Sequence, residues 1–573
     1  MRGAVACTLV VGLAACSAGD AGPGIEVGRA LDDVGALVAL GPRPGDSPAA
    51  ARAAGYIEGR LRELGVRVER LEVGTVAIPA IELLGRRYRE ARLQTTRDPD
   101  LVVRLGPPEG RALLVMAHYD SVPRSPGAVD NAAAVAVLLE LARALSAEPP
   151  RAPVMLAFTA NEEIGLVGAE ALAAQLGDQV GLAVALDLIG GSGDLSLNGA
   201  SRLIGRSELA WLARAADRAG VVIRAPLPHR VISRAWPQAE RSDHGAFTRR
   251  GIRGFHLYDR GQDGEWIDLA YHSARDTASR VQPRALDELG RVLRALTAEP
   301  VPEHDGDGYW LPVAVNVIVP RWPVVALEVV LAALALGLLV TMRAPCARGG
   351  LGLVAATACY SAAIGATIGL ERLAAAGHPA PWLHAPATAE LAELAVLVGG
   401  LGLATRAARR FAPWIGDRRY LAVAIALPLS LGLGCLLVGA AELAWLWLVP
   451  AACAALAPRL GRFALVAIAV GCLPGVLVLL PNQVREAAWN GFWPAGIPLA
   501  VWLGGFALAP LATLAWWLRR AGAPGPLGTL VLPLGCGLAM IAGVLVVLHA
   551  RPACNAQEFL GFHLACEVST GVR

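Results

Sequence analysis

Histidine and carboxylate side chains follow the first strongly apolar run of this sequence. The run 113–117 ends at His118, Asp120 comes two residues later, and Asp130 lies in the stretch Gly-Ala-Val-Asp-Asn at 127–131. Imidazole nitrogens and carboxylate oxygens are the usual protein ligands of divalent metal ions at catalytic sites. The residue types and their spacing therefore predict a metal site at the end of this run.

Two further apolar runs end in residues of the same kinds. Glu162 and Glu163 follow the run 154–159, and Asp187 follows the run 182–186. A pair of divalent ions needs about five protein ligands, one of them bridging, and a free carboxylate that can take a proton from bound water. The sequence offers five candidate ligands for two such ions: His118, Asp130, Glu163, Asp187 and His272. Glu162 is then available as the general base.

Asp120 is predicted to orient a ligand and not to bind a metal ion itself. Its carboxylate is placed to accept the second ring N–H of His118 and so to fix the tautomer of that imidazole, as a partner of a metal-bound histidine usually does. Imidazole and carboxylate ligands without thiolate suit zinc, with cobalt or manganese as possible substitutes. We therefore expect two zinc ions as the cofactors.

The elements that must position these residues alternate in type. Apolar runs predict strands at 66–73, 113–117, 154–159 and 182–186. Helical spacing predicts helices at 47–64, 132–145, 168–176, 209–219 and 283–296. This order predicts an α/β domain with a mixed, largely parallel central sheet flanked by helices. Functional sites in such sheets form at the carboxyl ends of the strands.

The composition divides the chain in two. A length of 573 residues is too great for a single ordinary core, and 55% of the residues are hydrophobic, with the excess after residue 320. The net charge of only +3 gives no argument for a nucleic-acid partner. We expect an exported domain at 25–300, a linker at 301–321 and a membrane domain at 322–549.

The membrane domain is predicted to be all-α and to cross the bilayer about eight times. The apolar segments are 322–342, 349–369, 386–405, 420–439, 441–457, 463–480, 496–518 and 527–549. Every second loop between them is rich in arginine, which places those loops in the cytoplasm. The domain at 25–300 and the tail at 550–573 then lie outside, where Cys554 and Cys566 could pair.

The first twenty residues resemble an export signal. Arg2 precedes a short apolar stretch that ends in Leu-Ala-Ala-Cys at 13–16, similar to a bacterial lipobox with Cys16 as the lipidated residue. An uncleaved signal anchor is the alternative, and both interpretations export the segment that follows. The expected location is the bacterial inner membrane, multi-pass, with the site on the periplasmic or extracellular side.

Six short motifs in order carry a family resemblance. They are His-Tyr-Asp-Ser at 118–121, Gly-Ala-Val-Asp-Asn at 127–131, Asn-Glu-Glu at 161–163, Leu-Asp-Leu at 186–188, Ser-Asp-His at 242–244 and Tyr-His-Ser-Ala-Arg-Asp-Thr at 271–277. Over about residues 30–300 the chain resembles the zinc aminopeptidase family of clan MH. With membrane segments following, it is most similar to the vacuolar membrane proteases and endoplasmic reticulum metallopeptidases of that family.

The resemblance implies a role for each candidate residue. Asp130 would bridge two zinc ions, with His118 and Asp187 completing one ion and Glu163 and His272 the other. Glu162 would be the general base, which would then pass its proton to the leaving amine, and Asp120 would orient His118. The substrate partner would be a peptide or protein N-terminus.

The remaining candidate residues are predicted to support the site or to have no role in it. Asp243 and His244 match a family motif, which we interpret as support for the site. His229, His256 and His304 lack such a context and are interpreted as structural or surface residues.

Two other functions remain open from the sequence. A glutaminyl cyclase would share the His-Tyr-Asp-Ser-like motif at 118–121 but would use a single zinc ion and cyclise an N-terminal glutamine. A non-catalytic membrane component would use the domain only to bind a peptide. The presence of all five candidate ligands and of Glu162 favours hydrolysis with two metals. The natural substrate and the oligomeric state are left open.

Overall fold

A computed structural model provides the structure of the chain. It describes residues 24–83, 86–191, 195–198, 203–223, 240, 242–259, 270–306, 308–312, 316–341, 418–437 and 441–479. Several sequence-based predictions concern residues outside these ranges: the signal segment with Cys16, His229, the apolar segments 349–369, 386–405, 496–518 and 527–549, and the tail with Cys554 and Cys566.

A seven-stranded sheet forms the centre of the N-terminal domain. Its strand order is β1-β6-β8-β7-β9-β11-β10. The strands are β1 Val68–Leu71, β6 Asp100–Leu105, β7 Ala112–His118, β8 Val154–Thr159, β9 Val180–Leu186, β10 Leu195–Asn198 and β11 Gly254–Asp259. The four strands β8, β7, β9 and β11 pair in parallel, and the remaining pairings are antiparallel. The predicted mixed sheet is thus confirmed, and its parallel pairings are confined to the four strands β8, β7, β9 and β11.

Helices cover both faces of this sheet. They are α1 Val27–Ala39, α2 Pro48–Glu63, α3 Ala133–Ala147, α4 Val167–Leu176, α5 Arg206–Ala219, α6 His244–Thr248 and α7 Pro283–Thr297. Ser47 begins α2 by accepting a hydrogen bond from the Ala50 backbone N–H at 3.0 Å, as the sequence predicts for an N-cap. All five predicted helices of this domain are present with ends shifted by at most a few residues.

Alternation along β7 sends side chains into two separate cores. Leu113 and Val115 pack into one hydrophobic cluster, whereas Leu114 and Met116 pack into a second one with α4 and α6. All seven residues of β7 are buried. Because both faces of this strand are covered, its residues form a continuous apolar run, and this run is what predicts the strand from the sequence.

Small antiparallel pairs lie beside the main sheet. The strands β2 Gly74–Ile78 and β5 Arg92–Thr96 pair with each other, as do β3 Ile81–Leu83 and β4 Arg86–Arg89. A third pair, β12 Gly308–Pro312 and β13 Asn316–Pro320, lies within the predicted linker and leads directly into the next helix.

The C-terminal part is helical where the structure describes it. Its helices are α8 Arg321–Thr341, α9 Arg418–Leu437, α10 Ala441–Leu460 and α11 Ala464–Leu479, at the first, fourth, fifth and sixth predicted membrane segments. Among the described residues, one helix is long and apolar enough to cross a membrane, at Trp322–Val340. The remaining crossings stay predictions.

Candidate metal centre

The carboxyl ends of the parallel strands meet at one edge of the sheet. His118 is the last residue of β7 and lies opposite Thr159, the last residue of β8. Asp187 directly follows β9, and its backbone N–H donates to the Leu257 carbonyl of β11 at 3.2 Å. The strand order thus brings two of the predicted residues side by side at this edge.

Asp130 lies between two groups of side chains. Its Oδ1 is 3.3 Å from His118 Nε2, and its Oδ2 is 3.2 Å from His272 Nε2. His118 Nε2 is also 3.4 Å from Asp187 Oδ1, and His272 Nε2 is 3.0 Å from Glu163 Oε2. The five predicted ligand residues therefore converge, with one oxygen of Asp130 facing each pair.

The distances between the imidazole nitrogens and the carboxylate oxygens suit metal coordination better than direct hydrogen bonds. Their separations of 3.0–3.4 Å are mostly longer than a normal N–H···O hydrogen bond of about 2.9 Å. A tetrahedral zinc ion with ligands at about 2.0–2.1 Å would separate neighbouring ligand atoms by about 3.3–3.4 Å. Among the described residues, His118, Asp130 and Glu163 offer ligand atoms that all lie within 4.8 Å of one another.

The charge of the site also calls for cations. Glu162 interacts electrostatically with Asp187, Glu163 and Asp243 in addition to His118. Within the described part of the chain, Glu163 Oε1 is buried and has no hydrogen-bond partner. Carboxylates that are buried together stay ionised only when they are paired with cations or coordinate metals. Both observations are what an imidazole and carboxylate site for divalent ions requires.

Asp276 holds the turn that carries Asp130. Its Oδ1 accepts the Val129 N–H at 2.8 Å and its Oδ2 accepts the Asp130 N–H at 3.1 Å. Gly127 begins this turn with φ +64°, and the Asp130–Asn131 peptide is cis. The carboxylate of Asp276, four residues after His272, thereby links the two loops that meet at the site.

Asp120 contacts both His118 and the pair Glu162 and Glu163. Its Oδ1 is 3.4 Å from His118 Nδ1, while its own backbone carbonyl lies nearer, at 3.2 Å. The two carboxylate oxygens accept the backbone N–H groups of Glu162 at 3.0 Å and Glu163 at 3.2 Å. Asp120 thus lies beside His118, and it also anchors the loop that bears both glutamates.

The carboxylate of Glu162 is available to accept a proton. No described residue forms a hydrogen bond or ion pair with this carboxylate, and the side chain is only partly exposed. Burial raises the pKa of Glu162 well above its ordinary value, and neighbouring Asp187 and Glu163 raise it further against the effect of His118. A raised pKa suits a group that both takes and returns a proton near neutral pH.

The pKa values of the neighbouring acids Glu163 and Asp130 shift in opposite directions. Burial and the charge of Asp130 raise the pKa of Glu163 to about 7. Burial would also raise the pKa of Asp130, but the adjacent imidazoles of His118 and His272 hold it below its ordinary value. Asp130 therefore stays ionised between the two imidazoles.

Backbone strain is concentrated in the same loops. Asn161 and His272 have φ of +58° and +54°, in the left-handed region that non-glycine residues rarely adopt. Asn161 immediately precedes Glu162. Strained backbone is kept where the surrounding structure requires it, most often at functional sites.

The remaining predicted residues lie at different distances from this centre. Asp243 accepts a hydrogen bond from the Thr159 hydroxyl at the end of β8, and burial raises its pKa to about 7. The His244 ring stacks on that of His256, with centroids 5.9 Å apart. His256 is buried on β11, and His304 Nδ1 lies 3.3 Å from Glu208 on α5.

Sequence reasoning missed two residues of this centre. Asp276 lies inside the motif at 271–277, but its part as a backbone acceptor depends on where Val129 and Asp130 come in space. Arg43 is fully buried next to the loop after His118. Its only signal in the sequence is the stretch Gly-Pro-Arg-Pro-Gly at 41–45, which reads as an ordinary turn.

These observations define an α/β domain with a candidate metal site at the carboxyl edge of its sheet. Residues 100–297 match the family model described as peptidase family M28, so the chain carries a domain of that family. The match includes all seven residues predicted to act in the site.

Curated relatives match the same part of the chain. Aminopeptidase YwaD of Bacillus subtilis is 29% identical over 197 residues, which are 33% of this chain and 40% of that protein. The vacuolar membrane protease of Candida albicans is 30% identical over 199 residues, 33% of this chain and 21% of that protein. The chain thus spans less than half the length of these relatives.

A solved structure was also found to be similar. The zinc aminopeptidase BSAP from Bacillus subtilis aligns with 48% of this chain and 94% of its own, at 17% identity and a TM-score of 0.38.

Proposed function

We propose that the protein is a membrane-anchored, zinc-dependent aminopeptidase. The observation that carries this proposal is the position of Asp130, with one carboxylate oxygen facing His118 and the other facing His272. A carboxylate shared between two sets of ligands is the feature that a two-metal hydrolase needs and a single-metal cyclase does not.

The ligands divide into two sets around this carboxylate. His118 and Asp187 would complete one zinc site, and His272 and Glu163 the other. Two bound zinc ions supply Lewis acidity for the scissile carbonyl and lower the pKa of the attacking water. The carboxylates of Asp120 and Asp276 accept backbone N–H groups of the loops that carry the ligands. The positions of the ligands therefore do not depend on the ligand side chains alone.

Glu162 carries the proton in this proposal. Its carboxylate is free of hydrogen-bond partners among the described residues and lies next to the ligand Glu163 in the chain. It accepts a proton from the attacking water and returns it to the departing amine. The environment that raises its pKa makes the return of the proton easier.

The substrate is proposed to be a peptide or protein N-terminus. One of the relatives is named an aminopeptidase and another a vacuolar membrane protease, which agrees with peptide hydrolysis at a membrane. The apolar helix Trp322–Val340 would anchor the domain, and the arginine-rich loops farther on favour its exposure on the exported side of a bacterial inner membrane.

The test is hydrolysis of a panel of aminoacyl-arylamides by the detergent-purified full chain. We expect zinc-dependent hydrolysis, reduced about 10²–10⁴-fold in Glu162→Gln, because removing a general base has an effect of that size. Glu148→Gln is the matched control, since Glu148 is exposed and pairs with Arg294 far from the site.

Other outcomes would redirect the proposal. Cyclisation of N-terminal glutamine without peptide hydrolysis would identify a glutaminyl cyclase. Peptide binding without any turnover, unchanged in Glu162→Gln, would identify a binding component. Either result with zinc loaded would overturn the aminopeptidase proposal.

A further inference from the structure

Arg43 is a fully buried arginine next to the candidate metal centre. Arginine is almost never buried completely unless its charge is compensated. Within the described ranges, no carboxylate lies within ion-pair distance of its guanidinium group. The acceptors of the guanidinium group are instead backbone carbonyl oxygens: those of Leu37, Gly41, Tyr119, Pro126 and Gly127.

Three of these carbonyls belong to the loop that connects His118 with Asp130. Arg43 Nε donates to Tyr119 O at 2.9 Å, one residue after His118. Arg43 Nη2 donates to Gly127 O at 2.9 Å, three residues before Asp130. One planar side chain therefore binds both ends of the loop between the first ligand and the shared carboxylate. A guanidinium group can do this because its N–H donors are held in a rigid fork.

The backbone of Arg43 binds the middle of the same loop. Its N–H donates to Ser121 Oγ at 3.0 Å, and its carbonyl accepts the Ser121 N–H at 3.2 Å. The Ser121 hydroxyl in turn donates to the Ser125 carbonyl at 2.9 Å. A Cβ at Gly127 would come within 2.8 Å of Arg43 Nη2, so only glycine permits this close approach.

The charge of Arg43 interacts with the acids of the centre. Burial lowers the pKa of Arg43, and the carboxylates that oppose this effect are those of Asp120, Asp276, Asp130 and Glu163. Each of them is either a proposed zinc ligand or a residue that holds a ligand loop. Arg43 thus interacts electrostatically with these acids while its N–H groups bind loop carbonyls.

We propose that Arg43 is a positioning residue that sets the distance between His118 and Asp130 by holding both ends of the loop 119–127. This inference rests on the proposed two-zinc function and adds a residue outside the ligand set. It predicts that zinc affinity depends on the geometry of the guanidinium group and not on its charge alone.

The experiment is a calorimetric zinc titration of the metal-free, detergent-purified full chain. Arg43→Lys keeps the charge but cannot bind both ends of the loop, and we expect its zinc affinity to fall about 10–100-fold, as when a group that orients a metal ligand is lost. Arg253→Lys is the matched control, since Arg253 also donates to backbone carbonyls, those of Gly181 and Pro302, away from the site. Its zinc affinity should stay within about twofold of the wild type.

The comparison is made where both variants are folded, as judged by thermal unfolding. Equal zinc affinities of Arg43→Lys and Arg253→Lys would overturn the inference and leave Arg43 as a structural residue. Zinc binding is measured directly, so inactivity of the wild type toward peptides would refute the proposed aminopeptidase without affecting this test. A wild type that binds no zinc would overturn both.

A milder variant covers the case in which Arg43→Lys does not fold. Ser121→Ala removes the hydroxyl that accepts the Arg43 N–H and donates to the Ser125 carbonyl, and its zinc affinity should fall by at least about fivefold, the effect of losing one or more hydrogen bonds. Ser146→Ala is its control, because the Ser146 hydroxyl donates to Ala142 O on α3. Equal zinc affinities of these two variants would overturn the inference.

Discussion

The peptidase-family domain and the C-terminal helices bury their side chains in different ways. The domain packs large aliphatic and aromatic residues, such as Leu114 and Phe158, on both faces of its sheet. The helices α8, α9 and α10 pack largely through small residues, among them Ala335, Ala444 and Ala451. Small residues at helix contacts allow close backbone approach, which is how helices associate in lipid.

The two regions also differ in how they treat buried polar groups. In the domain, buried carboxylates at the sheet edge accept hydrogen bonds from backbone N–H groups, as Asp120 and Asp276 do. In the helices, Glu328 of α8 is a buried acid, at 1% exposure. The acids at the sheet edge are thus held by polar contacts to the backbone, whereas the described helices pack mainly through apolar side chains.

The largest effect is expected at the shared carboxylate. Asp130→Asn should reduce peptide hydrolysis by on the order of 10³-fold or more, because both proposed zinc sites lose a charged ligand. Metal analysis of the purified protein should show the loss of zinc from both sites. Asp187→Asn should remove a ligand from one site alone, so zinc loss from Asp130→Asn that is no greater than from Asp187→Asn would argue against a bridging role.

A leucine-to-alanine substitution in each region tests whether the sheet and the helices differ in the free energy that a buried side chain contributes. Leu114→Ala removes a fully buried side chain from the sheet and should lower the free energy of unfolding by about 2–5 kcal/mol. Leu448→Ala on α10 should cost less than about 2 kcal/mol, because the proposed lipid surroundings are as apolar as leucine and only packing is lost. Denaturant titration with proteolysis of each region measures both values. Equal costs would mean that the helices are held together as a water-excluded core.

Asp276→Asn should separate ligand positioning from general stability. The variant keeps the shape of the side chain but exchanges one oxygen that accepts the Val129 or Asp130 N–H for a donor group. We expect a 10–100-fold weaker zinc affinity, or about 1.4–2.7 kcal/mol. Zinc titration next to thermal unfolding tests this. A variant that loses stability but keeps its zinc affinity would contradict the assignment.

The smallest effect concerns an acid remote from the site. Burial opposes ionisation of Glu140, but hydrogen bonds from Arg29 and Arg143 hold its pKa below its ordinary value. A lowered pKa in the folded state stabilises the protein above the ordinary glutamate pKa, and this contribution is lost as pH falls through the lower value. Glu140→Gln should therefore be about 1 kcal/mol less stable at pH 6, with the difference shrinking below about pH 4.

Thermal unfolding of both proteins between pH 3 and pH 6 provides the measurement for Glu140. Glu148→Gln is again the control, because its carboxylate is exposed and screened. A difference between wild type and Glu140→Gln that is constant with pH would show that the ion pairs with Arg29 and Arg143 do not stabilise the fold.

Much of the domain fold follows from local patterns. The apolar runs that become β7, β8 and β9 are continuous because both faces of these strands are buried. The strand β11, Gly-Phe-His-Leu-Tyr-Asp, was not predicted, since its polar His256 and Asp259 interrupt the run although all six residues are buried. The helix α1 was also missed, because it includes the buried acid Asp33.

The candidate site could be predicted as a set of residue types but not as a set of contacts. Histidine and carboxylate ligands recur after apolar runs, and that recurrence is visible in the chain. Arg43 and Asp276 leave no such pattern, because they bind backbone groups of loops that are distant in sequence. The position of a backbone N–H or carbonyl depends on the packed structure.

The sequence by itself determined the chemistry available to this protein and the elements that carry it. Side-chain identity sets which atoms can bind a metal or move a proton, and apolar periodicity sets which segments become strands and helices. Only the tertiary structure decided that Asp130 comes between His118 and His272, and that Asp276 binds its turn from 146 residues away. The reason is that these contacts depend on the strand order β8-β7-β9-β11, which is set by packing of the whole sheet and by no local segment.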